Sequence, residues 1–213
     1  MLRIKREYVV VSVGGSLIVP DKIDTAFLKS FRELLMRKVD EGFSFYIITG
    51  GGRTARRYQQ AAETIRGGLS REDVDWLGIH STRLNAHLMR ALFLEDAQAR
   101  IVKNPTRGIR PTKPIIIGAG WKPGWSTDYC AVMAATKLGA HKLVNLSNID
   151  YVYTADPRKD PQATKIERIG WPEFRELIPK EWDPGLSSPF DPVAAREAEA
   201  AHLEVAVVNG AKL

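Results

Sequence analysis

The sequence predicts an α/β protein, a three-layer α-β-α sandwich around a mostly parallel central sheet. Three observations carry this expectation. Short β-branched runs alternate with longer stretches of helical period along the chain, the order that builds βαβ units. The clearest run, Tyr8–Val13 (YVVVSV), is nearly continuous in apolar residues, as expected of a strand buried on both faces. Three strand-like runs leave into glycines, at Gly14-Gly15, at Gly50-Gly51-Gly52 and over 118–124, where a backbone can turn tightly or approach a ligand closely.

Taken in order, the first run ends in Gly14-Gly15-Ser16, a turn whose N–H groups suit a phosphate and suit a plain tight turn equally. Residues 24–40 set Phe27, Leu28, Phe31, Leu34, Leu35 and Val39 at helical spacing, with Asp24 or Thr25 as the cap. Residues 43–49 (FSFYIIT) make a second strand. Its glycine triplet leads into a helix from Arg53. Free N–H groups and the helix dipole favour an anion there, and Arg56, one turn in, is placed to pair with phosphate oxygens.

Residues 67–75 form a polar break, and 76–93 read as a long helix buried through Leu77, Ile79, Leu84, Leu88, Ala91 and Leu92, with Asp75 as its cap. Residues 101–102 and 114–117 are short strands around a basic, proline-bearing connection. Ser126-Thr127-Asp128 caps an alanine-rich helix over 129–138. Trp121 and Trp125, in the glycine-rich loop before that cap, suit either a base or sugar platform or a subunit contact.

Residues 142–146 read as a buried strand. It releases the long polar segment 148–161, NIDYVYTADPRKDP, with Asp150, Thr154, Asp156 and Asp160, aromatics Tyr151 and Tyr153, and Pro157 and Pro161 as breakers. A polar loop leaving the carboxyl end of a parallel strand is the usual ligand position in such sheets. A short helix over 169–177 follows, begun at Trp171-Pro172-Glu173. Residues 180–192 are irregular, Asp191-Pro192 opens a helix over 193–202, and 205–208 form the last strand.

The 213 residues suit one domain. The net charge of +6 comes from lysines and arginines spread along the chain. The densest basic patches lack the interleaved aromatics of a single-strand nucleic-acid binder, so no nucleic-acid partner is expected. A single cysteine, Cys130, excludes an intrachain disulfide and fits a reducing, cytoplasmic setting. The apolar run at Tyr8–Val13 is too short for a membrane span. His80 and His87 show no metal-ligand spacing with a carboxylate motif.

In this order the pieces resemble the amino acid kinase superfamily, and within it the archaeal-type uridylate (UMP) kinase branch. YTADPRKDP is similar to the family's nucleotide loop. VSVGGSLIVP resembles its first phosphate segment and GGGRTARRY its second. DWLGIHSTRLNA resembles the segment that holds the nucleoside monophosphate, STD the family's TTD, and FDPVAA its late Asp-Pro segment. The resemblance implies ATP-dependent phosphorylation of UMP to UDP, with Mg2+, in a homohexamer. Gly14, Gly15 and Ser16 would line the transferring phosphoryl group, and Asp150, Tyr153, Asp156 and Pro157 would form the rest of the ATP site. Gly51, Gly52 and Arg56 would hold the acceptor phosphate and Asp75 the ribose hydroxyls, with Ser126 and Thr127 on the UMP side. Asp128 would organise the reacting centre beside Asp191, with Arg53 as a catalytic cation. No side chain is implied as a metal ligand. Residues up to about 140 would form the acceptor side and 141–213 the ATP side.

The departures from the family pattern carry expectations of their own. No lysine stands at the first glycine motif, and Asn145 stands where bacterial-type members carry one. Arg53 replaces the GGGK lysine, keeping charge but not the compact ammonium, so the cationic helper is Arg53, Lys5, Lys122 or none. Tyr151 replaces a glycine and Gly120 a threonine. The family's further helix and GT-containing strand do not follow residue 210, so part of the nucleotide-side sheet is expected to be missing or supplied differently. The competing expectation is a catalytically silent nucleotide-binding or storage protein of the same fold, or a kinase with another acceptor.

Overall fold

Tyr8–Val13 forms strand β1 and lies at the centre of the sheet in the computed structural model, which describes residues 7–156, 160–181 and 188–212. Its neighbours are β2 (Ser44–Thr49) and β4 (Lys142–Ser147); β3 (Ile115–Gly118) lies beyond β2 and β7 (Glu204–Asn209) beyond β4. All four pairings are parallel, with registers Val13↔Thr49 and Val13↔Leu146 at the carboxyl end of β1. The expected three-layer sandwich is therefore present, with a wholly parallel five-stranded sheet.

Side chains of β1 alternate between two cores, as strand geometry requires. Val11 and Val13 join Phe31, Ile47, Ile117 and Met89 on one face, covered by α2 (Thr25–Asp40) and α4 (Arg71–Leu92). Tyr8 and Val10 join Ala131, Ala135, Phe174 and Ala198 on the other. That second face is covered by α5 (Thr127–Leu138), α6 (Trp171–Leu177) and α7 (Pro192–Ala200). Small residues on α5 let it lie close to the sheet. Each fully buried isoleucine, such as Ile47 or Ile116, contributes roughly 1.5–3 kcal/mol by leaving water.

Several boundaries differ from expectation. Gly14-Gly15-Ser16 is not only a turn: α1 (Gly15–Ile18) begins there. The helix expected to start after Asp75 starts at Arg71. Ser70 is its cap, accepting from Asp73 N at 3.1 Å, so Asp75 lies inside the helix and is not a cap. Leu84, expected to be buried, is 63% exposed, because Ile79, Ala86 and Met89 already fill the face turned to the sheet. The segment expected to be a long loop holds β5 (Val152–Tyr153), paired antiparallel with β6 (Lys165–Ile166). The short strand expected at 101–102 is reduced to a bridge between Val102 and Gly118. The last helix ends at Ala200, and a single 3-10 turn, Gly210–Lys212, follows β7. Among the described residues, no helix is long and apolar enough to cross a membrane.

Candidate active site

The parallel pairing of β1 and β2 brings their two glycine turns together. Gly50 N donates to Val13 O at 2.9 Å, and Gly14 N donates to Leu146 O at 2.8 Å. The ends of β2, β1 and β4 are thereby laced side by side. A Cβ on Gly15 would collide with Gly52 N, one on Gly50 with Gly15 N, and one on Gly52 with Gly15 O. Backbone meets backbone here, so glycine is required by space at all three positions. Gly52 also has φ +65°, a left-handed conformation that side chains disfavour.

The helix that follows, α3 (Gly52–Arg66), begins at this contact. Its N-cap is Gly51, which supplies no capping side chain. Arg53 N donates to Val19 O at 2.9 Å, and no capping side chain covers the rest of the helix N-terminus, whose dipole places its positive end at the junction. Arg56, one turn along, lines the cleft that opens there. The glycine carbonyls are fixed from behind by Asn85, whose Nδ2 donates to Gly50 O at 2.8 Å and to Gly51 O at 3.3 Å. Thr49 Oγ1 donates to Thr82 O at 3.0 Å.

One face of α4 forms the next wall. Asp75, Gly78, Ile79 and Thr82 share a stripe by their spacing, and all four line the cleft. Thr82 spends its hydroxyl twice, donating to Ile79 O at 2.6 Å and accepting from Gly120 N at 2.8 Å. A Cβ on Gly120 would press against that hydroxyl, which explains a glycine where the family has threonine. Asp75 Oδ2 accepts from Gly124 N at 2.7 Å. Burial pushes the Asp75 carboxyl up, and this N–H partly opposes the rise.

The third wall carries two acids. Ser126 caps α5, accepting from Tyr129 N at 3.1 Å, and this places Thr127 and Asp128 in the first turn. Asp128 Oδ1 accepts from Ser12 Oγ at 3.0 Å and Oδ2 from Asp191 N at 3.3 Å. Asp191 caps α7 through Ala194 N at 2.6 Å. Its Oδ2 is buried and has no hydrogen-bond partner among the described residues. Asp128 is densely surrounded by protein yet keeps part of its surface open to the cleft. Burial first, and then the charge of Asp191, push its carboxyl up to about 6, against the Ser12 and Asp191 hydrogen bonds. Burial likewise raises Asp191, opposed by the Ala194 N–H and the nearby Ser126 hydroxyl.

These walls enclose a cleft of about 340 Å³. Gly15, Ser16, Gly51, Gly52, Arg56, Asp75, Ser126, Thr127, Asp128 and Asp191 all line it. Gly14 is not part of the lining; it joins the ends of β1 and β4 through its bond to Leu146 O. Arg53 is exposed and is not part of the lining.

The residues expected on the ATP side sit one strand over. Asp150 is tied to the end of the chain, accepting from Asn209 Nδ2 at 2.9 Å and pairing with Lys212 Nζ at 2.5 Å. Those partners hold its carboxyl below the usual range. Tyr153 lies on β5, its ring 6.3 Å from Tyr151 and nearly perpendicular to it. Asp156 O accepts from Asp160 N at 2.9 Å. Pro157 lies outside the described residues, as does Lys5. Asp150 and Tyr151 line a second groove of about 810 Å³ that runs along β7 toward Trp171 and Phe174.

Ser12, Asn85 and Asn145 were not expected at the site. Ser12 is the one polar residue in YVVVSV, a signal that one side chain of a buried strand has a polar partner. Asn85 repeats the Asp75–Thr82 stripe one turn on. Asn145, on β4, donates to Pro189 O at 3.1 Å and so holds the approach to Asp191.

Among known proteins, the model of the amino acid kinase family matches residues 7–209. The chain is 35% identical over 208 residues to a uridylate kinase of Hyperthermus butylicus, covering 95% of this chain and 88% of that one. It is 37% identical over 191 residues to a uridylate kinase of Pyrococcus abyssi, covering 88% and 83%. Among solved structures it is similar to the uridylate kinase of Archaeoglobus fulgidus, with a TM-score of 0.80 at 27% identity over 94% of this chain and 90% of that one. An aspartate kinase from Synechocystis shares the fold, with a TM-score of 0.74 at 18% identity.

Proposed function

This chain belongs to the amino acid kinase family, and from that premise we propose that it transfers the γ-phosphoryl group of ATP to UMP, giving ADP and UDP. The observation that carries the proposal is the backbone contact between the Gly14–Gly15 and Gly50–Gly52 turns. Two anion-binding turns in contact hold two phosphates within reach of each other. The name uridylate kinase carried by its archaeal relatives supports UMP as the acceptor.

Phosphoryl transfer asks for alignment and charge neutralisation more than for covalent help. In this reading, backbone N–H groups of Gly51 and Gly52 with the Arg56 guanidinium hold the acceptor phosphate. Gly15 and Ser16 cradle the phosphoryl group in transit, and Gly14, whose own N–H is taken by Leu146 O, fixes the turn that presents them. A UMP phosphate oxygen attacks the γ-phosphorus as the bond to the ADP oxygen breaks, and no protein base is needed because the acceptor is already an anion. Asp75 orients the ribose through its remaining oxygen. Asp128, fixed by Ser12 and Asp191, positions the reacting groups at the end of α5, with Ser126 and Thr127 beside it. The ATP nucleoside extends past Asp150, Tyr153 and Asp156 toward Pro157. Arg53 is exposed, so its catalytic part requires it to swing toward the cleft.

Magnesium enters with the substrate as Mg-ATP. Among the described residues no group of three or more His, Cys, Asp or Glu could hold a metal ion, and phosphate oxygens supply most ligands of nucleotide-bound Mg2+. The division into an acceptor side, to about residue 140, and an ATP side over 141–213 belongs to this proposal. So do a hexameric assembly and a cytoplasmic location, which rest on family resemblance.

One observation favours a second reading, a nucleotide-binding protein without turnover. Among the described residues that line the cleft, Arg56 is the one cation. A panel of UMP, CMP, AMP and GMP with Mg-ATP, read by product mass, separates the two. The kinase reading expects UDP as the main product, and ATP binding with no diphosphate formed would overturn it.

A further inference from the structure

We infer that Trp125 is the wall against which the acceptor's base packs, which makes it a specificity-determining residue. The inference rests on the kinase reading, since it takes the acceptor to be a nucleoside monophosphate. Trp125 is half-buried and lines the same cleft as Gly51, Arg56, Asp75 and Asp128. The residue before it, Gly124, donates its N–H to Asp75 Oδ2 at 2.7 Å. Candidate sites for phosphate, ribose and base are therefore laid out in that chemical order: the glycine turn with Arg56, then Asp75, then the indole tethered next to Asp75.

The indole is held in place before any ligand arrives. Its ring centroid is 4.0 Å from that of buried Tyr129 and 6.1 Å from that of Trp121. Trp121 is fixed in turn by Arg83 Nη2, which donates to its carbonyl at 2.8 Å, and by Lys122 Nζ, 4.5 Å from its ring centroid. A rigid aromatic wall suits a flat, apolar-faced group and costs little ordering on binding. One polar group nearby is committed elsewhere: the Thr82 hydroxyl is used by Ile79 O and Gly120 N. Packing on Trp125 then supplies the flat apolar contact for a base at this end of the cleft, beside the polar Ser126 and Thr127.

The test compares UMP with ribose 5-phosphate, which has phosphate and sugar but no base, on wild type, Trp125→Leu and Trp125→Phe. Stacking of a base on an aromatic side chain is worth about 5- to 150-fold in affinity. Trp125→Leu is expected to weaken UMP binding at least tenfold, leave ribose 5-phosphate and ATP unchanged, and be largely rescued by Trp125→Phe. Equal weakening of both acceptors, or of neither, would overturn the inference. UMP is also expected to quench indole emission in the wild type and not in Trp125→Phe, a readout that serves even if the leucine variant does not fold. Quenching that persists in Trp125→Phe would contradict the assignment. Wild-type protein that neither binds nor phosphorylates UMP would instead bring down the kinase reading itself.

Discussion

The backbone N–H of Asp191 donates to Asp128 Oδ2 at 3.3 Å, so the first turns of α5 and α7 meet acid to acid under the cleft. Burial and then the charge of Asp191 raise the cost of ionising Asp128, whose carboxyl is pushed up to about 6 from an ordinary 3.8. Between these values the folded protein keeps a proton that the unfolded chain releases. Its contribution to stability is full below the lower value and is lost as pH rises through the upper one. Asp128→Asn removes the buried charge and keeps the Ser12 bond, but leaves an amide facing the Asp191 N–H. We expect the variant to be about 1 kcal/mol more stable than wild type above that window, with little gain below it. Its turnover should fall by about 100-fold or more, the scale for a group that acts in the transition state. Urea unfolding on both sides of the window, with a coupled assay, checks both.

Ser12→Ala probes the same carboxyl from the strand below. The Ser12 hydrogen bond lowers the Asp128 carboxyl, so its loss should raise it further and move the acidic limb of the pH–kcat/KM profile to higher pH. Loss of one hydrogen bond to a charged group costs about 1.5–3 kcal/mol, and we expect kcat/KM to fall on the order of tenfold or more. An unmoved limb would show that Asp128 does not govern it.

The glycine junction makes a sharper structural prediction. Gly15→Ala puts a methyl group into Gly52 N, while Gly108 has nothing within 4 Å and no positive φ. Gly15→Ala should cost roughly 2–4 kcal/mol and abolish nucleotide binding, whereas Gly108→Ala should stay within about 0.5 kcal/mol of wild type. Thermal melts of the two variants against wild type decide it.

Arg56→Gln keeps the length and loses the charge at the acceptor phosphate. A charge-assisted contact of about 1.5–3 kcal/mol corresponds to a rise of roughly 10- to 150-fold in the KM for UMP, with a smaller effect on ATP. Initial-rate kinetics with each substrate varied in turn check this.

Much of the frame was legible because β1, β2, β4 and β7 are apolar runs bounded by glycine or polar residues, and α2 keeps a clear helical period. The start of α4 is hidden in the sequence because Ser70 and Asp73, which form its cap, sit in a stretch that looks like a polar break. The β5–β6 hairpin was invisible, since two strands of two residues each have no period to read. At the site, the glycines and the Asp128–Asp191 neighbourhood followed from motif order. The tie of Asp150 to Asn209 and Lys212 did not, because it joins segments far apart in the chain through side chains with no local pattern. Ser12 left a sign, a lone hydroxyl in an apolar strand, whose partner only the crossing of α5 over β1 reveals.

The most direct measurement is a crystal structure of the chain with UMP and a non-hydrolysable ATP analogue. The account expects the UMP phosphate on Gly51, Gly52 and Arg56, with one of its oxygens about 3–3.5 Å from the γ-phosphorus held at Gly14–Ser16. Nucleotides seated along β7 with the glycine turns empty, or two phosphates held too far apart to react, would contradict it.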